Sequence, residues 1–309
     1  MPCPPERKIA ALRAAFTADA ACLGLHWIYD HGRLAQLAGD GRPLVFRDPD
    51  PAAYEGVPGY FAHGNRQAGD LSHYGEGMKV LALSLAEDEG SYHRTTYLRQ
   101  FREHFGKDYD GYLDHATKET LANLAADKTP PGTDDDQISA IAKLPPLIAS
   151  LCSHPDLTYS ATDAATATNE HPLARESARI AAAALSTALT GGALPEALQA
   201  GIAAATRLRD PLQAALGFPA MDPVAAAGKF GAACGLMSSL PLTWVLLNRA
   251  SSWEELLDGN ILAGGDSCGR ATLAGAMWGA CHGLSDGWFT RLKEHKSLDQ
   301  LIRRLVPES

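Results

Sequence analysis

The sequence predicts an all-α fold, a compact multi-helix bundle, on the basis of three observations. Apolar residues recur three and four positions apart in segment after segment, whereas alternating strand patterns are nearly absent. Several segments are also unusually rich in Ala and Gly, whose small side chains let helices approach one another closely. We expect about ten helices in a single domain that covers residues 1–309.

Helical patterns in the N-terminal half follow one another with short interruptions. The first helix is predicted around Ile9, Leu12 and Phe16, which share helical spacing and follow Pro5, a residue suited to a first turn. Four more patterns occupy residues 76–88, 91–105, 111–127 and 136–151. The segment from Asp40 to Asp70 is rich in Pro, Gly and Asp, and so long a loop in a compact domain is often functional.

The C-terminal half shows the same periodicity over residues 172–189, 194–208, 223–250 and 252–263, and again within 264–283. The helix that begins at Pro172 is predicted to end before Gly191–Gly192, because proline suits a helix start and glycine a helix end. In the last segment the small residues Ala271, Gly275 and Gly279 recur at helical spacing. We therefore expect this helix at the centre of the bundle.

Composition and charge argue against nucleic-acid and membrane partners, and the cysteine pattern predicts the cellular location. The net charge of −9 gives no electrostatic reason to expect nucleic acid or an anionic membrane surface as a partner. No apolar run reaches the length that spans a bilayer, and the N-terminal residues lack the apolar core of a signal peptide. Six scattered cysteines without a CxxC pair predict reduced thiols and a cytoplasmic location. The sequence does not determine the oligomeric state.

Four stretches carry polar side chains that packing alone does not explain: "LHWIYD" (residues 25–30), "SHYGE" (72–76), "GTDDDQ" (132–137) and "GGDSCGR" (264–270). Each also has a structural explanation. Ser72 is a suitable N-cap, and the consecutive acids after Thr133 complement a helix dipole. Asp266 or Ser267 can cap the last small-residue helix. A histidine beside a tryptophan, as in the first stretch, is commonly a hydrogen-bonded core residue.

Cys268 is the cysteine for which the sequence gives an argument for reactivity. It would lie in the first turn of a helix with Arg270 nearby, and both features lower the pKa of a thiol. A cysteine nucleophile also needs a base, which His26 or His73 would supply. The alternative is that Cys268 is a small buried apolar residue, which is the more common role of a free cysteine.

Taken in order, "ADAACLGLHW", "SHYGEGM" and "GGDSCGRATLAGAMWGACHG" resemble three segments of the ADP-ribosylglycohydrolase superfamily, which is all-helical. The resemblance implies a hydrolase whose substrate is a small molecule or an ADP-ribosylated one, with an ADP-ribosyl or related nucleotide-like group. In that family these segments bind two magnesium ions through carboxylates and threonine hydroxyls. Here His26, His73 and Cys268 stand at such positions, and Asp266 is retained. These replacements look like the crystallin-J and selenoprotein J branch, so we expect the two-magnesium centre to be missing.

These arguments predict two sets of site residues. The catalytic candidates are His26, His73, Glu76, Asp266 and Cys268, and Asp266 is the metal ligand if a metal binds. The substrate-binding candidates are Trp27, Tyr29, Asp30, Tyr74, Asp136, Asn169 and Ser267. Asn169 stands where the family has a histidine, and Asp136 belongs to the segment that the family places near the ribose.

Three alternatives remain open at this stage. A Cys268 nucleophile would suit an amide, amidine or ester better than a glycoside. Zinc would accept His26, His73, Cys268 and Asp266 as ligands, although they come from distant segments. A non-catalytic binding or structural protein of the crystallin-J type is the third, since a fold does not fix a function. The polar character of the replaced residues favours an enzyme, because a decayed buried site tends to become apolar.

Overall fold

Helices make up the fold, as the sequence predicts. The computed structural model describes residues 3–307. Its N-terminal half contains α1 (Pro5–Cys22), α2 (His31–Ala38), α3 (His73–Glu87), α4 (Arg94–Phe105), α5 (His115–Ala125), α6 (Ser139–Ala142), α7 (Pro145–Ser150) and α8 (Leu157–Thr166). Short 3₁₀ turns lie at Leu23–Leu25 and Pro51–Tyr54.

The C-terminal half contains α9 (Pro172–Leu189), α10 (Leu194–Ala204), α11 (Arg209–Leu216), α12 (Pro223–Phe230), α13 (Leu236–Arg249), α14 (Trp253–Leu262), α15 (Ser267–His282), α16 (Asp286–Phe289) and α17 (His295–Leu305). Helices therefore outnumber the ten expected, partly because two predicted segments are divided. Residues 136–151 form α6 and α7, with Pro145 at the start of α7. Residues 223–250 form α12 and α13, separated where Gly231 adopts a φ of 87°.

Helices α1 and α15 form the centre of the bundle. The side chains of α15 from Ser267 to Ala280 are all buried. A Cβ atom on Gly275 would lie 2.6 Å from the carbonyl oxygen of Ala14, and one on Gly279 would collide with that of Ala10. The central position predicted for this helix is confirmed, because its glycines leave room for the backbone of α1.

The segment between α2 and α3 forms a long loop, as predicted from its composition. Arg47 fixes its start by donating hydrogen bonds to Asp40 and to the carbonyl oxygens of Leu37 and Pro43. Further along, the Tyr54 hydroxyl donates to the carbonyl oxygen of His26 at 2.7 Å, and the loop packs against the chain that follows α1. The loop thereby delivers His63 to the cluster described below.

The cysteines differ from the expectation that all six are reduced. Cys3 and Cys152 form a disulfide across 149 residues of sequence. Sequence spacing does not reveal this pair, because only the packing of the N-terminus against the end of α7 brings the two residues together. Cys22 and Cys268 are buried free thiols, and Cys234 and Cys281 are half-buried. Among the helices of residues 3–307, none is both long and apolar enough to cross a membrane.

Candidate functional site

The Gly264–Gly265 turn fixes the start of α15. Both glycines have positive φ values, 73° and 61°, and a Cβ atom on Gly265 would collide with the carbonyl oxygen of Ala232. The backbone amide of Trp27 donates to the Gly265 carbonyl at 2.8 Å, and the Gly265 amide donates to Ile28 at 2.8 Å. The turn is thus held against the chain that follows α1, and Asp266 is placed beside His26.

Arg270 stabilises the same turn from inside the protein. Its buried guanidinium donates to the Asn260 side chain at 2.9 Å and to the carbonyl oxygens of Asn260, Gly264 and Ala232 at 3.0, 2.7 and 3.2 Å. One cation therefore connects α14, the glycine turn and the chain before α13.

Asp266 is a fully buried carboxylate with fixed hydrogen bonds. The amide of Gly269 donates to Oδ1 at 2.9 Å, so Asp266 rather than Ser267 is the N-cap of α15. The Tyr74 hydroxyl donates to Oδ2 at 2.6 Å. Burial raises the pKa of Asp266 to about 6, against the opposing effect of the Tyr74 hydrogen bond.

His26 faces Asp266 with a defined ring nitrogen. Its Nδ1 accepts a hydrogen bond from the backbone amide of Cys268 at 3.2 Å, so the neutral ring carries its proton on Nε2. That Nε2 lies 3.8 Å from Asp266 Oδ1. Burial lowers the pKa of His26 well below its ordinary value and keeps the ring uncharged.

Two further histidines complete a buried cluster with His26. His63 comes from the long loop and His73 from the first turn of α3, and one ring nitrogen from each of the three residues lies within 4.8 Å of the others. Burial lowers the pKa of His63 well below its ordinary value and that of His73 to about 4. Sequence reasoning missed His63, whose loop shows no pattern that separates it from other polar loop residues.

Aromatic rings cover this histidine cluster. The ring of Trp27 lies 4.2 Å from that of His26 and 5.5 Å from that of His73, measured between centroids. Tyr60 and Tyr112 pack against Trp27 at 5.7 and 5.1 Å. Trp27 has a φ of 64°, a conformation that costs about 1–3 kcal/mol for such a residue and that often marks functional sites. Tyr60 and Tyr112 are further residues that the sequence analysis did not identify.

Two basic side chains contact the Glu76 carboxylate, a predicted catalytic group. Its Oε2 lies 2.8 Å from Lys79 Nζ and 2.9 Å from His104 Nε2. Burial alone would raise the pKa of Glu76, but His104 and Lys79 together hold it below its usual value. The lowered pKa keeps the group a carboxylate, and its catalytic role stays a prediction.

The pKa of the Cys268 thiol differs from the expectation, because the increase caused by burial outweighs the decrease expected from the helix N-terminus. The side chain is fully buried, and its Sγ lies 3.5 Å from the carbonyl oxygen of Asp19, to which it donates. Burial raises the pKa of this thiol well above its ordinary value, and the nearby Asp19 adds to the effect. The pKa thus moves in the direction opposite to the predicted activation. Among the residues that the structure describes, the metal-ligand cluster at this place consists of three imidazoles without the thiol.

Two predicted substrate-binding residues make contacts within the framework, and their role in substrate binding stays a prediction. Asn169 is buried, and its amide donates to Asp135 at 2.9 Å and to Ser139 at 3.2 Å. The buried acid of the central loop is Asp135, whereas Asp136 is half-buried and contributes its backbone carbonyl as an acceptor for Leu236. The identity of the buried acid in three consecutive aspartates depends on loop geometry, which the sequence does not encode locally.

The other predicted substrate-binding residues lie around the start of α2 and α15. Tyr29 is 37% exposed, and Asp30 caps α2 by accepting from the Arg33 amide at 2.6 Å. Ser267 is buried, and within residues 3–307 its hydroxyl has no hydrogen-bond partner. Tyr74, by contrast, makes a contact that orients Asp266, as described above.

The donor set around Asp266 does not fit two magnesium ions. Both carboxylate oxygens of Asp266 already accept hydrogen bonds, from Gly269 and Tyr74. Within the residues that the structure describes, the cluster of metal-ligand side chains beside Asp266 consists of three imidazoles, whereas magnesium requires a near-octahedral shell of oxygen ligands.

Comparisons with known proteins extend over almost the whole chain. A model of the ADP-ribosylglycohydrolase family matches residues 4–309. Crystallin J1A of Tripedalia cystophora is 24% identical over 322 residues, which cover 97% of this chain and 96% of that protein. A solved structure of an ADP-ribosylglycohydrolase-related protein complex aligns with a TM-score of 0.70 at 19% identity, covering 98% of this chain and 97% of that chain. The last similarity concerns the fold.

Proposed function

Because this chain belongs to the ADP-ribosylglycohydrolase family, we propose that it is a hydrolase for an ADP-ribosyl group or a related small nucleotide-like substrate. The observation that supports this proposal is the pairing of Asp266 with His26. A buried carboxylate with a pKa near 6 lies 3.8 Å from an imidazole nitrogen that carries a proton. Such a pair suits acid–base chemistry close to neutral pH.

Glycoside hydrolysis passes through a transition state in which positive charge develops on the sugar ring. The Asp266 carboxylate stabilises this charge and accepts the proton that the attacking water loses. The water oxygen bonds to the anomeric carbon as the bond to the leaving group breaks, and the leaving group departs with the electron pair and is protonated from solvent. The His26 Nε2 proton offers a hydrogen bond to a substrate oxygen.

The aromatic residues beside the site support a nucleotide-like substrate. Tyr60 is 56% exposed and Tyr29 is 37% exposed, although both are large rings that burial would favour. Trp27 lies between Tyr60 and the histidines. A nucleobase stacks on such rings with a free energy of about 1–3 kcal/mol per base.

The experiment is a turnover assay of the full chain with N-linked and O-linked ADP-ribosyl peptides and small nucleotide conjugates. We expect Asp266→Asn to lower the rate by about 10²–10⁴-fold while the protein stays folded, since asparagine also caps helices. Asp108→Asn, at an exposed loop position, is the matched control and should retain full activity. Equal rates for the two variants would contradict the role of Asp266.

A second candidate function is a non-catalytic binding or structural protein. The whole-length similarity to crystallin J1A favours it, as does the burial of the three histidines. This candidate predicts that nucleotide-like ligands bind without turnover, or do not bind. A cysteine-dependent hydrolase is not proposed, because the Cys268 thiol stays protonated.

A further inference from the structure

We propose that His26, His63 and His73 together bind one zinc ion, at the place where the sequence predicts that a two-magnesium centre is missing. This site includes His63, which the sequence analysis did not place here, and excludes the Cys268 thiol. The inference concerns metal binding and does not rest on the proposed hydrolase activity. The proton on His26 Nε2 that the proposed function uses belongs to the metal-free chain, because a zinc bond to Nε2 replaces it.

The three imidazoles are close to the geometry of a zinc centre. Their candidate ligand nitrogens lie within 4.8 Å of one another. In a tetrahedral site with bonds of about 2.0–2.1 Å, ligand nitrogens lie about 3.4 Å apart. The rings therefore need to close by no more than about 1.4 Å. Side-chain rotation within the loop and the first turn of α3 can supply a movement of this size.

The nitrogens of this cluster lack hydrogen-bond partners in a buried setting. His26 Nε2, His63 Nε2 and both ring nitrogens of His73 have none among the residues that the structure describes. Their side chains are 1%, 3% and 7% exposed. Buried polar groups without partners cost free energy, and four such atoms at one place point to a ligand that satisfies several of them together.

The donor chemistry selects the metal. Imidazole nitrogen suits zinc and neighbouring transition metals, whereas magnesium prefers oxygen. Three histidines leave the fourth tetrahedral position open for water. Asp266 Oδ1 lies 3.8 Å from His26 Nε2, so a carboxylate stands beside the cluster.

Binding through His26 requires its ring proton to move. The proton is on Nε2 while Nδ1 accepts from the Cys268 amide. A zinc bond to Nε2 places the proton on Nδ1, so the hydrogen bond from Cys268 must break or the ring must turn. No net proton is lost in this rearrangement, and it gives the proposal a signature that adventitious surface binding does not share.

The test measures metal content and affinity for the full chain after chelator treatment, with zinc chloride and magnesium chloride as separate probes. We expect one zinc ion per chain and no magnesium. His63→Gln should lower zinc affinity by at least about 100-fold, because loss of an outer hydrogen-bond partner alone costs about 10–100-fold. His93→Gln is the matched control, since His93 is exposed, and it should bind zinc like the unaltered chain.

Two further readouts keep the proposal testable where a variant folds poorly. Cobalt(II) in the unaltered chain should give the visible absorption of a tetrahedral ion, and ring ¹⁵N spectra should show the His26 proton moving from Nε2 to Nδ1 when zinc is added. Absence of zinc binding, equal affinity in the two variants, or two bound magnesium ions would overturn the proposal. Zinc binding without turnover would support the zinc proposal and would count against the hydrolase function.

Discussion

At the scale of single residues, burial decides what each ionisable group can do. Asp266 and Cys268 lie at the same helix terminus, yet the carboxylate has two fixed donors and the thiol has one weak carbonyl contact. The sequence offered Asp266 or Ser267 as the cap of α15, and the structure places Asp266 in that role. The sequence did not predict the state of Cys268, because the helix terminus is a local feature whereas the desolvation comes from distant segments.

Tyr74 provides a test of how the carboxylate is held. Tyr74→Phe removes the donor to Asp266 Oδ2 and leaves a buried oxygen without a partner. We expect a loss of about 1.5–3 kcal/mol in the free energy of unfolding, measured by urea denaturation, and a reduced rate of any Asp266-dependent turnover. Tyr159→Phe is the control because Tyr159 is 74% exposed. An unchanged stability in Tyr74→Phe would show that this hydrogen bond contributes little.

At the scale of elements, glycine and alanine determine how closely α1 and α15 pack. The small-residue spacing of α15 predicted from sequence alone that this helix lies at the centre of the bundle. The partner helix could not be identified in advance, because Ala-rich stretches occur in several helices and each of them could have filled the same role.

Gly279→Val tests this close packing. A branched side chain at this position would collide with the backbone of Ala10, so we expect a loss of about 1–3 kcal/mol in the free energy of unfolding, or failure to fold. Gly228→Ala is the matched control, since a Cβ there meets no atom within 4 Å. This control should be neutral or stabilising by up to about 1 kcal/mol, because alanine favours a helix. Equal stability of the two variants would contradict the packing argument.

At the scale of the whole molecule, the site is assembled from four separated segments. The chain after α1 supplies His26, the long loop His63, the start of α3 His73 and Tyr74, and the start of α15 Asp266. The same long-range packing buries charges elsewhere. Lys143 is buried with the Thr168 hydroxyl as a contact of its Nζ, and burial lowers its pKa to about 7.

Lys143 makes the stability of the protein depend on pH in a defined direction. Its pKa is about 7 in the folded state and near 10.5 when unfolded. Between these values the unfolded chain binds more protons, so this lysine's contribution to stability rises with pH and its cost is fully present below pH 7. Lys143→Met should therefore stabilise the protein by roughly 1–4 kcal/mol at pH 6 and by less at pH 10.

Denaturation of Lys143→Met at both pH values checks this prediction. Lys107→Met, at an exposed position, is the control and should change stability little at either pH. A stabilisation that grew from pH 6 to pH 10 would have the wrong sign and would contradict a buried lysine with a lowered pKa.

The sequence by itself determined the helical class, the ten segments in which most of the helices lie, a cap at Asp266 or Ser267, and the central place of α15. These features depend on periodicity, on capping residues and on side-chain size, all of which are local. Only the tertiary structure brings His63 together with His26 and His73. It also places Lys79 and His104 in contact with the Glu76 carboxylate, and it removes the Cys268 thiol from solvent. These outcomes arise from contacts between residues far apart in the chain, where burial and charge depend on which surfaces meet.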